Sequence, residues 1–196
     1  MGRVDELEKK LKGEGDDVWL LLILFIGAFV FGIATSWKAF GNNSSGLLTF
    51  LVILGSMLLM PFGLFSVILT LYAIQSDPQE FVDAYKWDYP QKEEIEILEL
   101  AYKKAHKYQN EAFKNALTAW LGLGFYLGLL EIGLAAGDIA VKNWSYLWAV
   151  IGICSIASFV GFILTIISYL RKRSIEKALF AIQLKKTDKA EISIKL

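Results

Sequence analysis

The sequence is poor in the residues that build most catalytic and metal centres. It holds one cysteine, Cys154, and one histidine, His106. A lone cysteine excludes an intrachain disulfide and a multi-cysteine metal site. A lone histidine excludes bis-histidine haem ligation and a His-Glu-x-x-His zinc site within one chain. Glu93, Glu94, Glu96 and Glu99 lack the Glu-x-x-His spacing of carboxylate metal sites and read as a solvated acidic face. No glycine-rich phosphate loop follows a strand pattern anywhere. Net charge is missing too, since 20 Lys and Arg balance 20 Asp and Glu. No basic field exists to hold nucleic acid, so no nucleic-acid partner, metal or cofactor is expected, and no enzymatic activity.

Apolar length is what the chain has in abundance. Hydrophobic residues make up 55% of it against 20% charged, and mean hydropathy is +0.46. Three runs carry no charge at all: 20 residues from Val18 to Trp37, 29 from Leu47 to Gln75 and 27 from Trp144 to Leu170. A fourth runs from Ala116 to Leu130 and reaches Gly137 if Glu131 is included. Each then suffices to cross a hydrocarbon core of about 30 Å. Four such runs leave too little polar surface to cover them in water, so the expected fold is an all-α integral membrane protein with a four-transmembrane-helix bundle. The first run exceeds the apolar core of a signal peptide, about 7 to 15 residues, and follows an acidic segment, so it is read as a retained helix.

Orientation follows from the bases. Eighteen of the 20 Lys and Arg lie on one side of these runs, leaving Lys38 and Lys142 on the other, which places both termini in the cytoplasm. The Asn-x-Ser sequons at Asn42, Asn43 and Asn143 all fall in the loops assigned outside. Trp19, Tyr72, Trp120 and Tyr169 mark the inner interface; Trp37, Trp144, Tyr146 and Trp148 mark the outer one.

The expected organisation is a cytoplasmic N-terminal segment (1–17), a first transmembrane hairpin (18–75), a cytoplasmic linker (76–114), a second hairpin (115–171) and a basic cytoplasmic tail (172–196). Pro61 lies mid-run and removes the hydrogen bond to the Met57 carbonyl, so a kink is expected there. Pro78 and Pro90 mark the stretch from Ser76 to Pro90 as breaker-rich. From Gln91 to Lys114, Leu98, Ala101, Ala105, Tyr108 and Ala112 recur at helical steps, and no breaker separates this amphipathic helix from the third span. The tail extends the fourth span similarly, with Ile175, Leu179 and Ile182 on one face. Residues 171–196 carry net +5 and residues 76–114 net −3. The tail therefore either pairs with the linker or lies on anionic lipid, where each base contributes about 1 kcal/mol. A shift of 101 residues aligns Trp19, Gly27, Gly32 and Ala34 with Trp120, Gly128, Gly133 and Ala135, as a duplicated hairpin would.

The candidate site is on the third span. Gly124, Gly128, Glu131, Ala135 and Asp138 follow steps of four and three, and the fourth span offers Cys154, Ser158, Gly161, Thr165 and Ser168. Gly124, Gly128, Ser158, Gly161 and Thr165 are expected to let the two helices pack closely. Glu131 lies seven residues before Asp138, roughly 10 Å below the outer boundary, and is expected to face the interior near Cys154 or Ser155. An acid at that depth is a functional hypothesis by default. These patterns point to a non-enzymatic multi-pass protein that oligomerises or serves as an accessory subunit, with lipid and other membrane helices as partners. The alternative is a cation or proton pathway through Glu131, Asp138, Cys154 and Ser155.

Overall fold

The computed structural model describes residues 2–12, 18–40 and 47–194. Among these the chain is helical, with no strand beyond a single bridge between Phe40 and Val141. The helices are α1 (Arg3–Lys12), α2 (Val18–Ala39), α3 (Leu47–Met57), α4 (Leu59–Ala73), α5 (Pro78–Asp88), α6 (Glu94–Ala135) and α7 (Trp144–Ile194). Four of the resulting helical stretches are long and apolar enough to cross a membrane: α2, α3 with α4, α6 and α7. The sequons at Asn42 and Asn43 lie outside the described residues.

The second stretch breaks where proline chemistry requires. Leu58 is distorted within the right-handed helical region, at φ −114° and ψ −61°, three residues before Pro61, whose ring cannot donate to Met57. Hydrogen bonds resume on both sides, Leu58 to Leu54 at 2.9 Å and Phe62 to Leu58 at 3.1 Å. Gly32 of α2 lies against this break, and a Cβ there would meet the Ser56 carbonyl and the Pro61 ring. No other residue type lets α2 approach the backbone so closely.

By contrast α6 and α7 are unbroken rods of 42 and 51 residues, about 63 and 76 Å at the standard rise. They pack antiparallel along most of their length. Buried positions on α6 run from Ile97 through Ala101, Ala105, Tyr108, Ala112, Ala116, Ala119, Leu123, Tyr126 and Leu130 to Gly133. Those steps of three and four give one continuous stripe. Its end is a Schellman turn: Gly137 adopts φ +75°, its N–H reaches the Leu134 carbonyl at 3.2 Å, and the Asp138 N–H reaches Gly133 at 3.1 Å.

Two apolar cores share these rods. One lies between α2, α3, α4, α6 and α7 toward the hairpin turns and contains Val52, Met60, Leu123, Tyr126, Leu147, Val150 and Cys154. The other lies at the end carrying α1 and α5 and contains Val4, Leu11, Phe81, Val82, Ile97, Tyr108 and Ile175. Helix α5 corrects the reading of residues 76–90 as a stretch of breakers. Asp77 is an N-cap accepting from the Gln79 N–H at 2.9 Å, and Pro78 occupies the first turn, where its missing N–H costs nothing.

The duplicated-hairpin alignment finds unequal environments. Gly27 and Gly128 both face open space, and Gly32 and Gly133 are both tightly approached. The second and fourth spans, which a shift of 97 residues aligns through Gly55 and Gly152, differ: Gly55 packs on Tyr126 while Gly152 meets nothing.

Candidate functional site

The seam between α6 and α7 is built partly from the expected residues. A Cβ on Gly161 would stand 3.1 Å from the Trp120 backbone nitrogen, so α7 approaches the α6 backbone there. Ser158 donates to the Trp120 carbonyl at 3.3 Å, and Cys154 is fully buried in the core. Thr165 donates to the Gly161 carbonyl of its own helix at 2.7 Å instead of crossing the seam.

On α6 the expected face is met in part. Gly124 is exposed yet lies beside α7, where a Cβ would stand 3.8 Å from Ser158 Oγ, whereas Gly128 has nothing within 4 Å. Helix α7 meets Phe113, Ala119 and Trp120, and the buried stripe beyond Ala119 turns to α3 and α4, with Leu123 against Gly63 and Tyr126 against Gly55. The glycine stripe starts one residue after Leu123, and one residue is about 100° around a helix. Glu131 is correspondingly exposed and does not face the interior. Asp138 lies beyond the end of α6, half-buried, with its main-chain carbonyl accepting from Thr49 Oγ1 at 2.8 Å.

Glu131 nevertheless has a defined setting. It lines a cleft of about 660 Å³ on the outer flank of the seam with Leu127, Leu134, Trp144, Trp148, Ile151 and Ser155. Ser155 shares this cleft, whereas Cys154 points to the opposite side, into the core. Gly128 of α6 and Gly152 of α7 each have nothing within 4 Å.

A second cleft, unanticipated from the sequence, opens where α4 ends. Its volume is about 610 Å³ and its walls include Ile74, Asp77, Glu80, Gln109 and Arg171. Gln109 is fully buried, and its Nε2 donates to the Ile74 carbonyl at 3.1 Å, the Ser76 carbonyl at 3.2 Å and Ser76 Oγ at 2.9 Å. Arg171 Nη1 donates to the same Ile74 carbonyl at 2.5 Å. The signal was a glutamine beside Tyr108 on the apolar side of an otherwise alanine-lined stripe.

Around this cleft, long side chains tie the helices together. Asp88 of α5 accepts the N–H groups of Arg3 and Val4 at 3.0 and 2.9 Å, capping α1 from another helix. Those hydrogen bonds, Val4 foremost, hold its carboxyl below the ordinary range. Lys104 pairs with Glu8, which raises the lysine above its usual value. Glu99 accepts from Lys103 at 2.6 Å and from Lys186 of the tail at 2.7 Å, and these bonds lower its carboxyl. His106 meets Glu176 of α7 at 3.0 Å. The linker and the tail are thus in contact, as their opposite charges suggested. Among the described residues, no group of three or more His, Cys, Asp or Glu side chains converges.

No protein-family model, curated protein or solved structure matches the chain.

Proposed function

We propose that the chain is a multi-pass membrane protein with both termini in the cytoplasm, acting non-enzymatically as an oligomerising or accessory subunit of a membrane complex. The observation that carries this reading is the setting of Glu131. Its carboxylate is exposed among leucines and tryptophans on a flank otherwise left open at Gly128 and Gly152. Lipid tails offer no hydrogen-bond donor, and an acid near the centre of a span costs about 2.5 to 3.5 kcal/mol, less toward the interface. A neighbouring transmembrane helix supplies both the donor and a surface complementary to the small residues. The exposed Trp19 and Trp37, at opposite ends of α2, and Trp144 and Trp148 suit the two lipid interfaces.

The test separates assembly from folding. Gly128→Leu adds its side chain into open space, so the protomer is expected to fold with unchanged thermal stability. The oligomer, measured by cross-linking in native membranes through Gly152→Cys in a Cys154→Ala background, is expected to disappear. Unchanged cross-linking would remove the flank from the interface. Orientation is checked by labelling Lys142→Cys from outside while Lys107→Cys stays protected.

A cation or proton pathway is the second reading, favoured by one observation: Glu131 and the Ser155 hydroxyl line the same cleft. Under it, Glu131→Gln assembles normally but loses ion flux in reconstituted liposomes. Under the subunit reading, Gln retains the hydrogen-bonding capacity and the assembly survives without any flux in the parent protein.

A further inference from the structure

The cleft at the end of α4 carries chemistry that the subunit reading does not use. Its deepest polar group is Gln109. Two main-chain carbonyls, Ile74 and Ser76, require donors, and this orients the amide with Nε2 toward them. Oε1 is consequently turned away, fully buried and without a hydrogen-bond partner among the described residues. A buried carbonyl oxygen left in this state costs about 1 to 3 kcal/mol, so the position calls for a donor.

The charges around it are ordered along the cleft. Arg171 is the first base after the apolar run of α7, level with Ile74 at the end of α4. One of its guanidinium nitrogens is taken by the Ile74 carbonyl, which leaves other donors of the fork for an anion. Asp77 and Glu80 follow three and six residues beyond Ile74, away from the apolar slab, and neither joins an ion pair among the described residues. Tyr102 and Ala178 close the cleft seven residues below Gln109 and Arg171, about 10 Å at the helical rise. The sequence of groups, starting from the apolar slab, is therefore a cation, a buried acceptor and two carboxylates.

We propose that this cleft binds a phosphodiester bearing a primary ammonium group, the chemistry of a phosphoethanolamine headgroup. The phosphate meets the guanidinium of Arg171, and the ammonium donates to Gln109 Oε1 and to the carboxylates of Asp77 and Glu80. The order matches a phospholipid at the inner interface, whose phosphate lies nearer the hydrocarbon than its amine. A trimethylated amine carries no N–H and satisfies none of these acceptors, and a purely anionic headgroup meets the two carboxylates unfavourably. The inference uses the membrane orientation proposed above but is independent of how the chain assembles.

The experiment is native mass spectrometry of the full-length chain in detergent with dioleoyl phosphatidylethanolamine, phosphatidylcholine or phosphatidylglycerol, and separately with water-soluble glycerophosphoethanolamine. Ethanolamine lipid is expected to bind about tenfold more tightly than choline lipid, the scale of one charge-assisted hydrogen bond. In the double variant Asp77→Asn, Glu80→Gln that preference is expected to fall several-fold, because the neutral amides and Gln109 Oε1 still accept but no longer attract the ammonium charge. The cap of α5 survives because asparagine caps as well as aspartate, and unchanged thermal stability without lipid verifies this. Binding of the lipid alone identifies a membrane ligand. Equal binding of the soluble ester identifies a solute of the same chemistry, and both outcomes support the site. Equal affinity for choline and ethanolamine lipids, tighter binding of glycerol lipid, or a preference undiminished in the double variant overturns it. Recovery of the chain in the soluble fraction breaks the membrane reading instead, a result distinguishable from an inserted chain without headgroup preference.

Discussion

At the α1–α5 end, helices meet through side chains that reach across gaps: Asp88 onto the N–H groups of α1, Lys104 onto Glu8, and Lys186 onto Glu99. At the hairpin end, the same two rods and their neighbours meet with almost no side-chain intermediary. Gly161 lies on the Trp120 backbone, Gly32 on the Ser56 carbonyl, and Gly63 so near Leu123 that a Cβ would stand 2.6 Å from its Cγ. The difference reflects what each region can exchange with its solvent. Water competes for every charge at the polar end, so its contacts are many, long-armed and individually weak. On the membrane reading proposed above, the apolar helices face no such competition and gain little from burial over lipid, so close van der Waals approach must do the work.

Four substitutions break or sharpen that comparison. The largest effect is expected from Gly161→Leu, which forces a side chain against the α6 backbone. Overpacking of this kind costs about 1 to 3 kcal/mol, and thermal unfolding in detergent should show it, while Gly152→Leu, with nothing within 4 Å, should not. Next is Gln109→Leu at the junction of the two regions. It strips the donor from the Ile74 and Ser76 carbonyls, a loss of about 1 to 3 kcal/mol seen in the same measurement.

Asp88→Ala should act only locally. Hydrogen exchange over residues 3–12 should rise while the unfolding temperature of the bundle stays constant. The pH dependence has a definite sign. The carboxyl is lowered from its ordinary 3.8, so its contribution is complete above that value and is lost as pH falls through the still lower folded value. Release of α1 should therefore occur in acid below about pH 4 and not on the alkaline side. The smallest effect is expected from Lys186→Ala, whose partner Glu99 keeps Lys103. Exchange should increase in the last turns of α7 without a change in global stability, and 1 M salt, with a screening length of about 3 Å, should erase the difference.

Much of this architecture was legible in the residues. The charge-free runs gave four apolar helical stretches, Pro61 marked the break at Leu58, and the absence of breakers after Gln91 made the linker and third span one rod. Helix α5 was hidden because Pro78 and Pro90 were weighed alike, although Asp77 directly before Pro78 is a helix-start pattern. The face of α6 was misphased for a different reason. The alanine stripe from Ala101 to Ala112 continues in register through Ala116, Ala119 and Leu123, but above Lys114 every face of the helix is apolar. Small residues there resemble a single packing surface, but only Gly124 lies against α7, beside Ser158, and Gly128 belongs to the open flank.

Sequence alone determined the four long apolar helical stretches and the joining of the linker to the third of them, because those properties depend on local composition, spacing and breakers. The tertiary structure decided which side of each apolar helix touches protein. Lipid and a neighbouring helix are chemically alike to leucine, so periodicity carries no signal that separates them. That decision turned Glu131 outward, buried Cys154 away from Ser155 and brought Gln109 beneath the carbonyls that end α4. Residues 35 and 97 positions apart in the chain meet there, at Gln109, Ile74 and Arg171, and only the packing of three helices puts them in one cleft.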